Sequence, residues 1–156
     1  MRALSFGWTW PPFVAREKTV TRRTWKPRHL EGFQRAFRDG ETIQAIDKGF
    51  HAGGKRIGTL KLTQKPDWEL METMPDGDYT REGFQYFSDH PSELPASAIK
   101  KGWANDNCSF ESFSNWRYFG RGHQMVVVRF EILTVEPWAV EALNKLRQTA
   151  EALERR

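Results

Sequence analysis

Lys18, Thr21 and Glu82 are the side chains of this 156-residue sequence whose types suit metal-free hydrolysis. Lys18 has Arg22 and Arg23 as near neighbours. A lysine in a partly dehydrated pocket beside arginines gives up its proton more easily. It can then act as base for a threonine hydroxyl, which is inert until a base activates it. A carboxylate such as Glu82 can orient the lysine or shuttle the proton to a leaving group. The plainer interpretation of the same residues is an ordinary Lys–Glu ion pair, worth little if exposed. Geometry sets a condition. In a regular strand Lys18 and Thr21 point to opposite faces, so the trio requires Lys18 at the start of the strand or at a bulge.

Other chemistries lack their residues. His29, His51, His90 and His123 are scattered, with no cysteine or acid at metal-ligand spacing. Cys108 stands in a polar stretch and reads as incidental. There is no Gly-x-Ser-x-Gly elbow, and the Gly53-Gly54 pair is too short and isolated for a phosphate loop, which needs a lysine and a serine or threonine in fixed places. Asp76-Gly77-Asp78 resembles part of a calcium loop without its closing glutamate. No metal or other cofactor is expected.

The elements that must position the trio follow from patterning. Residues 3–6 read as a first strand. A Trp/Pro corner follows, with Thr9 as cap of a short helix over residues 11–16. Residues 18–25 are rich in β-branched side chains and read as a strand. So many cations and hydroxyls bury little, so this strand either lines a polar pocket or forms a solvated edge. Leu30, Phe33, Ala36 and Phe37 recur at helical spacing, and Asp39-Gly40 ends that helix. Residues 42–47 and 55–63 read as paired antiparallel strands. Residues 67–79 are acidic and turn-rich, with a short helical turn near Glu69–Glu72. Thr80 caps a helix with Glu82 near its start, where the helix dipole favours a carboxylate, and Pro91 stops it. Further helices are expected over residues 93–101 and 109–118, the second with Phe110, Phe113 and Trp116 at core spacing. Residues 123–135 hold the most apolar run and read as the central strand. The stripe of Ala139, Leu143, Leu146, Ala150 and Leu153 marks an amphipathic helix packed on its own domain.

A chain of this length forms one domain and buries roughly 70% of its unfolded surface. The net charge is +4 and the pI about 9.4. Arg16, Lys18, Arg22, Arg23, Lys26, Arg28, Arg35 and Arg38 crowd one window, opposed there by Glu17 and Glu31. That patch favours an anionic partner. In a nucleic-acid reading, Arg22, Arg23, Lys26, Arg28 and Arg35 grip phosphate while Trp8, Trp10 or Trp25 stacks a base. The plain alternatives are a solvated helix face and tryptophans at a corner of the core. A single cysteine makes the reducing cytoplasm the expected location, no signal peptide or membrane span is read, and a monomer is expected.

The run from Ala3 to Trp25, with its strand, Trp/Pro corner, short helix and Glu17-Lys18-Thr19-Val20-Thr21-Arg22-Arg23, resembles the ASCH family, named for activating signal cointegrator homology. The strand at residues 42–47, Glu82-Gly83-Phe84, and Phe110 to Trp116 leading through Gly120-Arg121-Gly122 to the strand at 126–133 fit the same pattern. The resemblance spans roughly residues 3–135. It implies an α+β fold: a PUA-like small mixed β-barrel with surrounding helices, the domain covering residues 1–136, and an extra C-terminal helix over 137–156 packed on it. It also implies RNA or a modified nucleoside as ligand. Known family activities are removal of an acyl group from the exocyclic amine of acetylated cytidine and metal-independent cleavage of single-stranded RNA. The amidohydrolase uses a lysine, a threonine three residues later and a glutamate, which map onto Lys18, Thr21 and Glu82. This chain departs from the small amidohydrolase pattern by its basic segment at residues 26–39 and its last helix. The resemblance thus implies an RNA- or nucleoside-binding protein that hydrolyses its ligand. The alternative is a non-catalytic nucleic-acid-binding or protein-interaction module.

Overall fold

Six strands and six helices are defined among residues 1–94, 98 and 108–155, which the computed structural model describes. In chain order they are β1 (Ala3–Ser5), α1 (Trp10–Val14), β2 (Val20–Arg23), α2 (Pro27–Arg38), β3 (Thr42–Ile46), β4 (Arg56–Leu62), β5 (Asp67–Leu70), α3 (Asp78–Arg81), α4 (Phe84–Asp89), α5 (Phe110–Phe119), β6 (Gln124–Val135) and α6 (Pro137–Glu154). No helix among the described residues is long and apolar enough to cross a membrane.

β6 is the spine, because Val126, Val127 and Val128 at its start are fully buried. A strand buried on both faces must find ladder partners on both edges. Val126 lies opposite Arg23 of β2 on one edge and Trp68 of β5 on the other. The second half of β6 pairs with β4, which pairs with β3, and β1 closes the path by running parallel to β3. Register shifts at Ala45/Ile46 and Thr59/Leu60 add local twist, and the sheet curls into a half-barrel. The α+β expectation, a small mixed barrel with helices around it and a helix at the C-terminus, is the architecture found.

Two apolar clusters form. One lies under the sheet and gathers Phe6, Phe13, Phe33, Ile43, Leu60 and Phe130, with Ala139 and Leu143 of α6. The other gathers Met71, Tyr79, Phe84, Phe87 and Phe113 from the helices beyond β6. Burying one such phenylalanine contributes about 1.5–3 kcal/mol, so each cluster is a substantial anchor.

Several local expectations are corrected. The Thr9 hydroxyl donates to the Phe6 carbonyl (2.7 Å) and does not cap α1. β2 is four residues long, not eight, because Pro27 sits at the first turn of a helix that begins earlier than expected. Phe37 faces outward while Leu30, Phe33 and Ala36 are buried. The acidic segment contributes a strand, β5, whose residues lack clean alternation. Cys108 is fully buried and has a positive φ of 58°. Phe110 is largely exposed, so of the expected α5 stripe Phe113 alone is fully buried. The helix expected over 93–101 lies mostly outside the described residues.

The helix expected from Thr80 is two helices. Gly83 adopts φ +98°, breaks the chain between α3 and α4, and packs against Pro12. A Cβ there would come within 2.6 Å of Pro12 Cγ. Gly83→Ala is expected to cost about 1–2 kcal/mol for the left-handed backbone alone, plus the displacement of Pro12. Urea unfolding checks this, and a midpoint equal to that of the parent protein would refute the packing described.

Candidate active site

Lys18 is delivered by a turn, not by a strand. α1 ends at Val14, and Arg16 turns into the left-handed region with φ 64°. The amides of Glu17 and Lys18 then both donate to the Pro12 carbonyl, at 2.9 and 3.1 Å. The Thr19 amide donates to the Arg81 carbonyl (2.9 Å), and β2 begins only at Val20. Lys18 therefore precedes the pleated ladder, and strand alternation does not separate it from Thr21. Both side chains line one cleft, with Glu82 beside them.

Glu82 is the C-cap of α3, where the helix dipole is negative. The expectation of a carboxylate favoured near a helix start is thus overturned. Cations hold it instead. Lys18 Nζ lies 3.3 Å from Glu82 Oε2 and donates to the Glu82 main-chain carbonyl at 2.6 Å. Arg22 Nη1 donates to Glu82 Oε1 at 2.9 Å. The other Arg22 nitrogen reaches Asp78 Oδ2 at 2.5 Å. Asp78, fully buried, also receives both terminal nitrogens of Arg129 (2.9 and 2.8 Å) and Arg81 at 3.1 Å. Burial alone would raise the Asp78 pKa, but the bonds from Arg129 and Arg22 outweigh it and hold the group below its ordinary 3.8.

Lys18 is 1% exposed. Burial is the largest influence on it and brings its pKa down from 10.5 to about 8, against the pull of Glu82 and with help from Arg23 and Arg22. A neutral amine carries two N–H donors and one lone pair. Glu82 supplies acceptors for both donors, so the lone pair is left to take a proton. The Thr21 hydroxyl accepts from Arg23 Nε at 3.2 Å, which leaves its own proton to be given away. Arg23 is further anchored by a hydrogen bond from Nη2 to the Ser5 carbonyl.

The cleft has a volume of about 400 Å³ and lies where the two apolar clusters meet. Lys18, Thr21, Arg22, Arg23 and Glu82 form its polar side, and Phe6, Trp8, Phe84, Trp116 and Met125 its apolar side. Trp8 stacks against Phe84 and Phe87 (6.1 and 5.4 Å).

Most of the remaining sequence candidates lie elsewhere. Trp10 and Trp25 pack against the first apolar cluster, and Trp25 also stacks on His29 and meets Phe33 at a tilt. Arg22, also in the cleft wall, is 8% exposed and has its guanidinium bonded to Asp78 and Glu82. Lys26, Arg28 and Arg35 are exposed on α2 and at its start, and none of them lines the cleft. Asp78 and Arg129 were missed. Two signals pointed to them. Asp78 stands four residues before Glu82, a spacing that puts two carboxylates on one helical face. Arg129 stands between the apolar Val128 and Phe130, both buried, and a charge there demands a partner.

No family model matches the chain, and no curated protein matches it. Among solved structures, the crystal structure of protein EF3133 from Enterococcus faecalis V583, under the family model DUF984, is 12% identical to it. That match covers 86% of this chain and 77% of that one, with a TM-score of 0.43.

Two outcomes follow for stability. Asp78→Ala leaves the Arg22 charge buried with one partner fewer and is expected to cost about 3–5 kcal/mol in urea unfolding at neutral pH. A loss below one kcal/mol, roughly the worth of a surface pair, would show the network to be ornamental. Lys18 acts in the opposite sense. Between about 8 and 10.5 the unfolded chain binds the extra proton, so stability rises with pH across that window. Lys18→Met should remove the rise, and an unchanged pH profile would contradict the buried amine.

Proposed function

We propose that this protein is a metal-independent hydrolase that removes an acyl group from the exocyclic amine of a modified nucleobase, with Lys18, Thr21 and Glu82 as its catalytic residues. One observation carries this reading. A lysine of lowered pKa, held by Glu82, shares a cleft of about 400 Å³ with the Thr21 hydroxyl. That volume suits a small ligand, since binding pockets run from about 300 to 1,000 Å³. The flat walls of Trp8 and Phe84 suit a base. The ASCH resemblance of the Lys18–Arg23 stretch points the same way.

In the proposed reaction the Lys18 amine takes the Thr21 hydroxyl proton as Oγ1 attacks the acyl carbon. The carbonyl π electrons move onto oxygen, and the Arg23 guanidinium beside Thr21 meets the developing charge. The C–N bond then breaks, and the leaving amine receives the proton from the Lys18 ammonium, with Glu82 holding the lysine in place. Water attacks the threonine ester, again giving its proton to Lys18. The bond between the acyl carbon and Thr21 Oγ1 then breaks, Oγ1 takes that proton back from Lys18, and the carboxylic acid leaves.

Cleavage of an RNA chain by the same residues is the less favoured variant. Lys18 and Thr21 are 1% and 5% exposed. A protruding acyl group reaches such atoms more readily than a backbone phosphate flanked by two nucleotides.

The base must be neutral to act, so kcat/KM for acetylated cytidine is expected to rise tenfold per pH unit up to about 8 and then level. Mass spectrometry of the released base, without added metal, checks this. Lys18→Ala and Thr21→Ala should abolish turnover with the circular-dichroism spectrum retained. Full activity in either variant would remove that residue from the mechanism.

A further inference from the structure

A second polar depression, of about 360 Å³, is lined by Arg2, Lys26, Arg28 and His29. It belongs neither to the core nor to the ion-pair network. Among the described residues, Arg2, Lys26 and Arg28 take part in no ion pair. Arg2 Nε is buried without a hydrogen-bond partner, which is unusual for so strong a donor. Of the nearby acids, Glu31 lines a different depression, with Gln34, Arg35 and Lys65, and Glu41 borders another face of Arg2, with Met1 and Thr42, without forming an ion pair to it.

Arg2 is held in a built position. Its guanidinium lies over the Phe33 ring at 5.3 Å and across Gly32 in the middle of α2. A Cβ on Gly32 would come within 2.6 Å of Arg2 Nη1. Glycine is a poor residue inside a helix, and here its bare Cα makes room for the arginine. His29 completes the wall, stacked on Trp25 (4.4 Å) and Phe33 (5.3 Å). A fixed cation engaged in no ion pair among the described residues, beside two further cations, is complementary to an anion with several oxygens.

The depression adjoins the cleft. Arg23 and Thr24 line the cleft, and Trp25 alone separates Thr24 from Lys26. Two residues of chain span at most about 7 Å between Cα atoms. His29 is close enough to Arg2 and Arg23 for both charges, after burial, to lower its pKa.

We infer that Arg2, Lys26 and Arg28, with His29, form a subsite for the phosphate group of a nucleotide whose base occupies the cleft. This rests on the cleft being a nucleobase site, and it makes the ligand a nucleotide, free or within a strand, rather than a bare nucleoside.

The test measures binding of cytidine, cytidine 5′-monophosphate and a cytidine-containing RNA trinucleotide by calorimetry, with the His29 imidazole followed by NMR. Three proteins are compared: the parent, Arg2→Gln/Arg28→Gln, and Gly32→Ala. The last keeps every charge and favours the helix, but pushes the Arg2 guanidinium away. The phosphate-bearing ligands are expected to bind about ten-fold or more tightly than cytidine to the parent and to shift His29. Both effects should be lost in both variants, with cytidine affinity unchanged. A preference for the monophosphate over the trinucleotide assigns the subsite to free nucleotides, and the reverse assigns it to RNA. Equal affinity for cytidine and its monophosphate, with His29 unmoved, overturns the subsite and leaves the cleft reading intact. A preference lost in the double variant but kept in Gly32→Ala overturns the seat built for Arg2. If none of the three binds, the cleft reading and the nucleotide assignment fail together. Inorganic pyrophosphate that still shifts His29 would then support an anion site independent of the cleft.

Discussion

The buried carboxylates of Asp78 and Glu82 are the constraint on which the candidate site depends. They come from a four-residue helix and its cap, and no such short helix is stable alone. What holds it is charge: Arg22 from β2 grips both carboxylates, Arg129 from β6 grips Asp78 through both terminal nitrogens, and Lys18 grips Glu82. Removing any one of the buried members would leave its partners with fewer counter-charges in a medium that tolerates charge poorly. The network therefore ties α3 to two neighbouring strands and sets the position of Glu82 to within hydrogen-bond tolerance.

The same network explains why Lys18 can be a base. Arg22 and Arg129 are always charged, so they neutralise the carboxylates at any ordinary pH. Glu82 is shared between Arg22 and Lys18, and it supports the lysine's charge less than an unshared carboxylate would. Burial then prevails, and the amine sits poised near neutrality. The left-handed Arg16 carries backbone strain at the approach to the site, and it turns the chain so that Lys18 reaches the same cleft as Thr21.

The cationic window between residues 16 and 38 is divided by the fold into parts with different roles. Lys18 and Arg22 are buried and paired. Arg23 lines the cleft. Lys26 and Arg28 face outward next to it, and Arg35 and Arg38 border another depression on α2. Net charge describes this window poorly, because a buried arginine bonded to two carboxylates contributes nothing to a surface potential that a ligand could feel.

Much of the fold could be read from the chain. The apolar run at 126–128 marked the central strand, alternation marked the β3–β4 pair, and helical spacing marked α2 and α6. These depend on local pattern and burial, which a sequence carries directly. The grouping of Lys18, Thr21 and Glu82 was also legible as a set of residue types. What the sequence could not decide was which polar groups meet. Glu82 looked like the start of a helix and is the end of one, since Gly83 turns left-handed against Pro12, a contact between residues far apart in the chain. Asp78 looked like a turn residue and is bonded by Arg22, Arg81 and Arg129 together. Arg22 and Arg23 looked alike and differ in partners: Arg22 bonds Asp78 and Glu82, while the half-buried Arg23 bonds the Thr21 hydroxyl and the Ser5 carbonyl. Residue type and periodicity determined the elements. Tertiary packing determined the charges, because the cost of burying an ion depends on the partners that only the folded chain brings to it.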